Sequence, residues 1–172
     1  MTLPEIARHA VTFTYGAAVT QLAGDGVALG RRFLEAIVAH DWQGVAACFA
    51  PDARLVAVVP KERPFREKAG REQAAGPIRD WFGDADVTEL VSSEVEPLAD
   101  RIRIAYRIHE HEPDGWYLVE QVAYATVGED GFADMNLACS GFRPVLDLGE
   151  ETASLRPREA AARGQIATRQ TS

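Results

Sequence analysis

The stretch that decides the fold runs from Arg101 to Phe142 and reads RIRIAYRIHEHEPDGWYLVEQVAYATVGEDGFADMNLACSGF. It contains three β-rich runs separated by EPDG and GEDG, and clusters of Pro, Asp and Gly between such runs are typical of hairpin turns. In the first run Ile102, Ile104 and Tyr106 alternate with polar or small residues, which is the period of a half-buried strand. The stretch therefore predicts a three-stranded antiparallel meander with one apolar face.

The two turns predict the pairing of these strands. With EPDG as the first turn, Tyr106 faces Gln121, and Arg107 faces Glu120 in a cross-strand ion pair. With GEDG as the second turn, the predicted pairs are Val127 with Phe132, Ala125 with Asp134, Ala123 with Asn136, Gln121 with Ala138 and Val119 with Ser140. The inner face then has small residues at its centre, where a close-packed core would need bulk. This size pattern predicts a cavity.

The outer face of the predicted meander is too apolar to remain in water. Its apolar residues are Val122, Tyr124, Met135, Leu137 and Cys139. We therefore expect this face to contact another chain, most simply a second copy in a homodimer.

Composition restricts the class of protein. The 172 residues are 47% hydrophobic and 26% charged, which is typical of one globular domain. A net charge of −8 argues against nucleic-acid binding, and no apolar run has the roughly 20 residues of a membrane span. The two cysteines, Cys48 and Cys139, have no metal-ligand or disulfide-framework spacing, so we expect a cytoplasmic protein without a structural metal.

The rest of the chain divides into three parts. Residues 1–26 are interrupted by glycines and form an arm of uncertain role, residues 27–144 form the domain, and residues 145–172 have the composition of a flexible tail. Within the domain, helical periodicity begins at Val27, Asp41 is placed to cap a second helix that stops before Pro51, and REQAAGPIRDWF predicts a third. RLVAVVP and VTELVSSEVEPL predict two further strands, the first either buried on both faces or joined to the edge of the sheet.

Three segments carry a resemblance to a known family: HDWQGVAACFAPDARL, GREQAAGPIRDWF and DGFADMNLACSGF. Together with the order of elements they resemble the nuclear transport factor 2-like superfamily, in particular its polyketide-cyclase-like (SnoaL-like) branch. The resemblance implies an α+β cone, in which a curved antiparallel sheet is wrapped by three helices around an apolar pocket. It also implies a dimer formed through the outside of the sheet.

Two catalytic sets known in that superfamily do not match this sequence. The positions that correspond to the tyrosine and the two acids of ketosteroid isomerases hold Phe33, Ala57 and Ala123. The positions that correspond to the limonene-epoxide hydrolase set hold Tyr106, Ile104, Ala138, Leu55 and Ala57. We therefore expect neither of these two reactions.

Several polar residues are candidates for a site on the inner face. Tyr106, Gln121 and Asn136 converge there in the predicted register, and a phenol beside amides can hold a carbonyl or enolate oxygen. The alternative is that they bond to one another and fill the core. Glu110, opposite Tyr117, and Asp134 are the nearest acids, and enclosure by apolar walls would make either a general base with a raised pKa.

Other candidates have simpler explanations. Trp42 and Trp81 have the spacing of core residues, although either ring would suit a pocket wall. His109 and His111 form a His-x-His pair, a pattern found in some metal sites, but no third ligand follows at a suitable spacing. We interpret both as solvent-exposed histidines and expect no metal.

These observations lead to two hypotheses on function. The first is a cofactor-free cyclase, isomerase or dehydratase (lyase) that acts on a small apolar molecule bearing a carbonyl group. The second is a non-catalytic module of the same fold that binds a ligand or dimerises. Acids inside the cavity favour the first, whereas a cavity lined only by Tyr, Gln and Asn favours the second.

Overall fold

The computed structural model describes residues 24–60 and 65–145. Apart from residues 24–26 and 145, the predicted arm and tail lie outside this part of the chain. Within it, no helix combines the length and the apolar composition that a membrane span requires.

Three helices are found among the described residues. Helix α1 includes residues 24–38, α2 spans Trp42–Ala47 and α3 spans Arg71–Phe82. The predicted cap of α2 is confirmed, because the backbone N–H of Gly44 donates to Asp41 Oδ1 at 2.9 Å. Helix α3 coincides with the predicted run and contains Pro77 in its interior.

Glycines bring α1 close to the sheet. The sequence predicted that helical periodicity begins at Val27, yet the helix already includes residues 24–26. A Cβ atom at Gly26 would lie 2.8 Å from Ile102 Cγ2, and one at Gly30 would lie 2.7 Å from Val95 Cγ1. Both distances are too short for a side chain, so the two glycines mark the contact between helix and sheet and do not interrupt the helix.

One six-stranded sheet forms the rest of the domain. Its strands are β1 (Phe49–Val58), β2 (Lys68–Ala69), β3 (Val87–Leu98), β4 (Arg101–Glu112), β5 (Gly115–Gly128) and β6 (Gly131–Pro144). They lie in the order β2-β1-β6-β5-β4-β3, and β1 pairs with β6 in parallel while the other neighbours are antiparallel. The predicted α+β fold with a curved sheet is confirmed, with the addition of this one parallel pair.

The structure decides between the two alternatives that the sequence of β1 left open. Its residues alternate between buried and exposed from Ala53 to Val58, so only one of its faces is covered. The prediction of burial on both faces is wrong, and β1 instead extends the main sheet beyond β6.

The register of the first predicted hairpin is confirmed. Tyr106 lies opposite Gln121, Ile104 opposite Ala123, and the ladder continues without a shift from Ile102 to Glu112. The inner side chains of β4 are accordingly buried. The EPDG turn was therefore enough to predict every pair on this side of β5.

The register of the second hairpin is wrong beyond its first pair. Val127 faces Phe132 as predicted, but Thr126 then faces Asp134, so Ala133 is an extra residue in β6. Such a β-bulge turns every following side chain to the opposite face. The actual partners of Ala125, Ala123 and Gln121 are Met135, Leu137 and Cys139.

A second irregularity follows near the end of β6. Gln121 pairs with Cys139, but Val119 pairs with Phe142 and not with the predicted Ser140. Gly141 has φ +82° at this point, a conformation that favours glycine. After the two shifts, the side chains of Met135 and Leu137 are buried in the core, while Ala138 and Ser140 are exposed.

The core lies between the inner face of the sheet and the three helices. At one end, the rings of Phe33, Phe49 and Phe132 meet edge to face with centroids 5.6 to 5.9 Å apart. At the other end, Phe82 of α3 contacts Phe142 of β6 with ring centroids 6.3 Å apart. Helices α1 and α3 thus each contribute aromatic rings over the same face of the sheet.

Candidate functional site

Tyr106 and Gln121 lie where the sequence placed them, on the inner face. Both are buried, and the Tyr106 hydroxyl donates to Gln121 Oε1. Gln121 Nε2 in turn donates to Cys139 Sγ at 3.4 Å. Burial raises the pKa of the Tyr106 phenol, so this side chain stays neutral. The pair largely satisfies its own hydrogen-bonding groups, as the simpler interpretation of these residues predicted.

Asn136 and Asp134 do not join this pair. The bulge at Ala133 places both on the outer face, where Asn136 Nδ2 donates to Asp134 Oδ1 at 2.8 Å. Asp134 lies opposite Arg54 of β1, which is exposed on the same side. The predicted convergence of Asn136 with Tyr106 and Gln121 is therefore wrong, and so is the predicted pairing of Asp134 with Ala125.

Glu110 lies on the inner face of β4, two residues beyond Ile108 along the same side of the strand. Its exposed fraction is 0%, and neither carboxyl oxygen has a hydrogen-bond partner among the described residues. A buried polar group without partners costs free energy and is uncommon in folded proteins. Such a group is often retained for a function that needs its free lone pairs or its proton.

The environment of Glu110 favours its neutral form. Removal from water raises the pKa of the Glu110 carboxyl to about 8. Glu112 adds to the effect through its negative charge and through an approach of its side chain that falls short of regular hydrogen-bond geometry. Most of the molecules therefore carry a proton on Glu110 at neutral pH. A carboxyl group that titrates this close to neutrality is well matched to proton transfer.

Two residues flank Glu110 across the sheet. Thr88 of β3 and Tyr117 of β5 are its direct cross-strand neighbours. The Tyr117 hydroxyl donates to Asp114 Oδ2 at 2.8 Å, and this bond is the main reason why the pKa of Tyr117 is raised; the charge of Glu110 adds to it. Tyr117 thus remains close enough to Glu110 for the two groups to influence each other.

His40 reaches the same region from the helical layer. Its Nε2 atom lies 2.7 Å from Thr88 Oγ1, and its ring is stacked at 5.1 Å on the ring of Trp42. His40 has φ 53°, which is uncommon for a residue other than glycine. The sequence analysis missed His40 and Thr88. The register that starts at the turn of Ala99 and Asp100 would pair Glu110 with Glu89, and a shift between Leu90 and Ser92 brings Thr88 opposite Glu110 instead.

The two predicted tryptophans differ in environment. Trp81 is buried and its ring lies 6.2 Å from that of Phe65, so it forms part of the core. Trp42 is only partly buried and supports His40. Of the two, Trp42 is therefore the one that lies beside the polar residues around Glu110.

The interpretation of the histidine pair as exposed is wrong for one of its members. His109 is buried, with 5% of its surface exposed. His111 is half-buried, and its Nδ1 atom lies 3.6 Å from Asp86 Oδ2. Within residues 24–60 and 65–145, no three His, Cys, Asp or Glu side chains are grouped as metal ligands.

The outer side of the sheet carries a charged groove of about 470 Å³ between β3, β4 and β5. Glu120 in its wall accepts from Arg107 Nε at 3.0 Å and from Arg143 Nη2 at 2.6 Å. The predicted pair of Arg107 and Glu120 is thus confirmed. Because these charges already neutralise one another, the groove offers a ligand less than the unpaired group on the inner face does.

Comparisons with known proteins bear on the fold. No family model matches the chain, and no curated protein is significantly similar to it. Among solved structures, a nuclear transport factor 2-like protein from Burkholderia xenovorans matches with a TM-score of 0.53 at 15% identity, covering 69% of this chain and 91% of the other.

Two further solved structures carry the names of enzymes. A candidate polyketide cyclase from Xanthomonas campestris matches with a TM-score of 0.55 at 16% identity, covering 67% of this chain and 90% of the other. An LEH-like epoxide hydrolase from M. tuberculosis matches with a TM-score of 0.53 at 12% identity, covering 69% and 84%. The predicted resemblance is confirmed at the level of architecture: the chain has the nuclear transport factor 2-like fold.

Proposed function

We propose that this protein is a cofactor-free enzyme of the isomerase, dehydratase or cyclase kind, with Glu110 as its acid-base residue. The substrate is a small apolar molecule that carries a carbonyl group. The observation that carries the proposal is the Glu110 carboxyl itself, which is buried, without hydrogen-bond partners among the described residues and shifted toward neutrality. Such a group is expensive to keep unless its proton or its lone pairs are used.

The two free oxygens of Glu110 suit proton transfer at both ends of an enolisable carbonyl. In its protonated form, one oxygen donates the proton to the carbonyl oxygen of the substrate. The other oxygen accepts the proton from the adjacent carbon, so an enol forms and the carboxylic acid is regenerated. When the two proton transfers run in reverse and the carboxyl returns the proton to a different carbon, the substrate is isomerised.

The neighbours of Glu110 provide the remaining parts of a site. Tyr117 flanks it on β5, Trp42 lies beside His40, and the neutral pair of Tyr106 and Gln121 lies further along the same face. A ligand on this face has no access to Asp134 or Asn136, which face outward. We therefore assign catalysis to Glu110 alone of the two predicted acids. Because Glu110 has no exposed surface, enclosing side chains must move when a substrate enters.

The solved structures of the same fold support chemistry on small molecules, since one is named as an epoxide hydrolase and another as a candidate polyketide cyclase. Their low identity leaves the reaction of this chain open, because one fold supports many activities. We further place the protein in the reducing cytoplasm, since Cys48 and Cys139 are both free.

The test is proton exchange at carbon. The protein is incubated in D₂O with a panel of apolar ketones and β-hydroxy ketones, and deuterium incorporation or loss of water is followed by NMR. We expect Glu110→Gln to lower turnover by roughly 100-fold or more, because an amide cannot transfer the proton. Asp134→Asn is the matched control, with an acid changed to an amide on the opposite face. Equal loss in both variants, or no loss in Glu110→Gln, would contradict the proposal.

The second candidate function is a dimerisation module, and exposed apolar residues on the outer face favour it. Val56, Val58 and Tyr124 are 36%, 73% and 38% exposed there. Tyr124→Glu should then shift the protein from dimer to monomer in sedimentation experiments, because the interface would bury an unpaired charge. Glu129→Gln, in the turn between β5 and β6, is the control. A Tyr124→Glu variant that sediments as the wild type would remove this interface.

A further inference from the structure

In the proton-exchange test, deuterium from water reaches the substrate only if the Glu110 proton exchanges with solvent. Glu110 has no contact with solvent in the folded chain, since its exposed fraction is 0%. Without a substrate to displace the enclosing side chains, exchange needs either local opening of the sheet, which is slow for a strand inside the sheet, or a polar path to the surface. The described residues contain a candidate path on the β3 side of Glu110, through Thr88 and His40.

We propose that Thr88 and His40 form a proton path between Glu110 and solvent, with His40 as its outer end. The inference rests on the proposed role of Glu110. Both residues are positioning residues through which the Glu110 proton exchanges with solvent, and the substrate itself contacts neither of them.

The first link of the path is the cross-strand pair of Thr88 and Glu110. The two residues lie directly opposite each other on β3 and β4, so their side chains leave the same face of the sheet. Cβ atoms of such pairs are about 4.5–5.5 Å apart, which a rotation of the longer Glu110 side chain can bridge. Among the described residues no group meets the Glu110 carboxyl oxygens in regular hydrogen-bond geometry, and Glu112 is the neighbouring side chain that competes for them.

The second link is already formed. Thr88 Oγ1 and His40 Nε2 are 2.7 Å apart, although the residues are 48 positions apart in the chain. His40 is only partly buried, whereas Glu110 has no exposed surface. The contact thus connects a side chain on the inner face of the sheet to a partly buried imidazole in the helical layer.

The proton movements balance along this path. Glu110 gives its proton to Thr88 Oγ1 while Thr88 gives its own hydroxyl proton to Nε2 of a neutral His40 ring that carries its hydrogen on Nδ1. The ring is then an imidazolium, and Nδ1 releases its proton to water. The same steps in the opposite direction reprotonate Glu110, and no bond between heavy atoms is made or broken.

The backbone of His40 indicates that its position is maintained at some cost. Its φ of 53° lies in the left-handed region, where glycine or asparagine at the end of a helix would be less strained. Strained residues of this kind are concentrated at functional sites. The stacking on Trp42 and the bond to Thr88 hold the ring despite this strain.

Two other acids lie near Glu110 and offer competing routes. Glu112 on the same strand is only partly buried, and it raises the pKa of Glu110 through its charge and the approach of its side chain. Tyr117 on β5 donates its hydroxyl to the exposed Asp114 at 2.8 Å. Thr88 differs from these groups in that its hydroxyl contacts a histidine, and the variants below test this route against the two acids.

The experiment follows the Glu110 proton directly and needs no substrate. A protonated carboxyl has an infrared carbonyl band that shifts when hydrogen is replaced by deuterium, and Glu110→Gln identifies the band. After rapid dilution into D₂O, we expect the band to shift much faster than the backbone amides of β4 exchange. Thr88→Val and His40→Asn should each slow the shift roughly 10-fold or more.

Matched variants distinguish loss of the proton path from a general loss of stability. Thr88→Ser keeps the hydroxyl and should exchange as the wild type does, as should Thr126→Val on the outer face. His40→Asn keeps a residue that tolerates positive φ, so it remains informative even if Thr88→Val lowers the melting temperature. Exchange at the wild-type rate in both Thr88→Val and His40→Asn would overturn the path. So would wild-type exchange no faster than that of the β4 amides.

Failure of the path and failure of the proposed function are distinguishable. If carboxyl exchange is unaffected in the Thr88 and His40 variants while Glu110→Gln loses turnover, the path is wrong and the enzyme proposal stands. If Glu110→Gln retains turnover, the enzyme proposal is wrong whatever the exchange rates show.

Discussion

The hairpin of β4 and β5 and the hairpin of β5 and β6 share a strand, yet only the first has the register that its turn predicts. In the first, one ladder runs from Ile102 to Glu112 without interruption. In the second, two shifts divide the ladder into three parts. A turn motif therefore fixes pairing only as far as the first bulge, and each bulge reverses the faces of the residues beyond it.

The difference has a tertiary cause. The start of β6 is held by another part of the chain, because Phe132 N–H donates to the Cys48 carbonyl at 2.8 Å and Phe132 lies opposite Phe49. A Cβ atom at Gly131 would lie 2.5 Å from the same carbonyl oxygen. Strand β6 thus pairs with β1 on one side and with β5 on the other. The extra residue Ala133 accommodates the difference in register between the two pairings. At the turn of the first hairpin, Asp86 N–H donates to the His111 carbonyl and Val145 N–H to the Trp116 carbonyl, both at 2.8 Å, and these contacts leave its ladder unshifted.

The strongest test of this contrast exchanges the two faces of β6. Leu137 is 3% exposed, so Leu137→Glu buries an unpaired carboxylate and should cost several kcal/mol, enough to unfold much of the protein. Ala138→Glu places the same group one residue later on the exposed face and should change stability by about 0.5 kcal/mol or less. Urea denaturation of both variants measures the difference. A larger loss of stability in Ala138→Glu than in Leu137→Glu would support the uninterrupted register instead.

A second test uses the buried acid of the regular hairpin. The pKa of Glu110 is about 8 in the folded chain, against an ordinary value of 4.5, so the folded state holds this proton more tightly. The contribution of Glu110 to stability is present below pH 4.5 and is lost as pH rises to about 8, beyond which it changes no further. At about 1.4 kcal/mol per pKa unit, the loss amounts to several kcal/mol.

The corresponding variant should remove that dependence. The free energy of unfolding of Glu110→Gln, measured by denaturant titration at several pH values, should lack this fall between pH 4.5 and 8. Asp134→Asn, on the face produced by the irregular hairpin, should keep the wild-type profile. A wild-type slope in Glu110→Gln would show that the carboxyl is not enclosed as described.

A smaller effect is expected at the centre of the inner face. The predicted register left small residues there, but Leu137 and Met135 fill the space beside Ala123 and Ala125. Ala123→Leu should therefore overpack the core and cost about 1–3 kcal/mol, measured by thermal or urea denaturation. Unchanged stability would mean that room remains beside Ala123 and would revive the cavity that the size pattern predicted.

The smallest effect concerns the ion pairs on the outer face, where β4, β5 and β6 meet. Glu120 joins Arg107 and Arg143, but these side chains are 28 to 54% exposed. Glu120→Gln should cost about 0.2–1 kcal/mol and less at high salt, since water screens exposed pairs. A loss well above this range, independent of salt, would show that the pair holds the second hairpin in register.

Particular residues show how far the sequence could lead. Alternation in β4 and a short turn were sufficient to predict the face and the cross-strand partners of Tyr106, Gln121 and Glu110, because nothing outside the hairpin alters their pairing. The error at Asn136 was avoidable in part. Inward apolar residues separated by three positions, as at Phe132 and Met135, do not fit the period of two and indicate a bulge.

The remaining parts of the site depend on contacts that no local pattern contains. His40 meets Thr88 only because α1 ends over β3, and the burial of Glu110 depends on the side chains that pack above the sheet. Neither distance can be obtained from spacing along the chain. For this reason the sequence identified Glu110 as one acid of two, whereas the fold separates it from Asp134.

The close approach of α1 to the sheet also has a consequence for the order of folding. Gly26 and Gly30 allow this contact, yet each costs about 1 kcal/mol of helix propensity relative to alanine. A helix of this length is marginal in isolation, so α1 depends on a surface already formed by β3 and β4. That surface arises from neighbouring hairpins with local contacts, which form early. We expect α1 to dock late, with transition-state φ-values near zero along its length and higher values in the β4 and β5 hairpin.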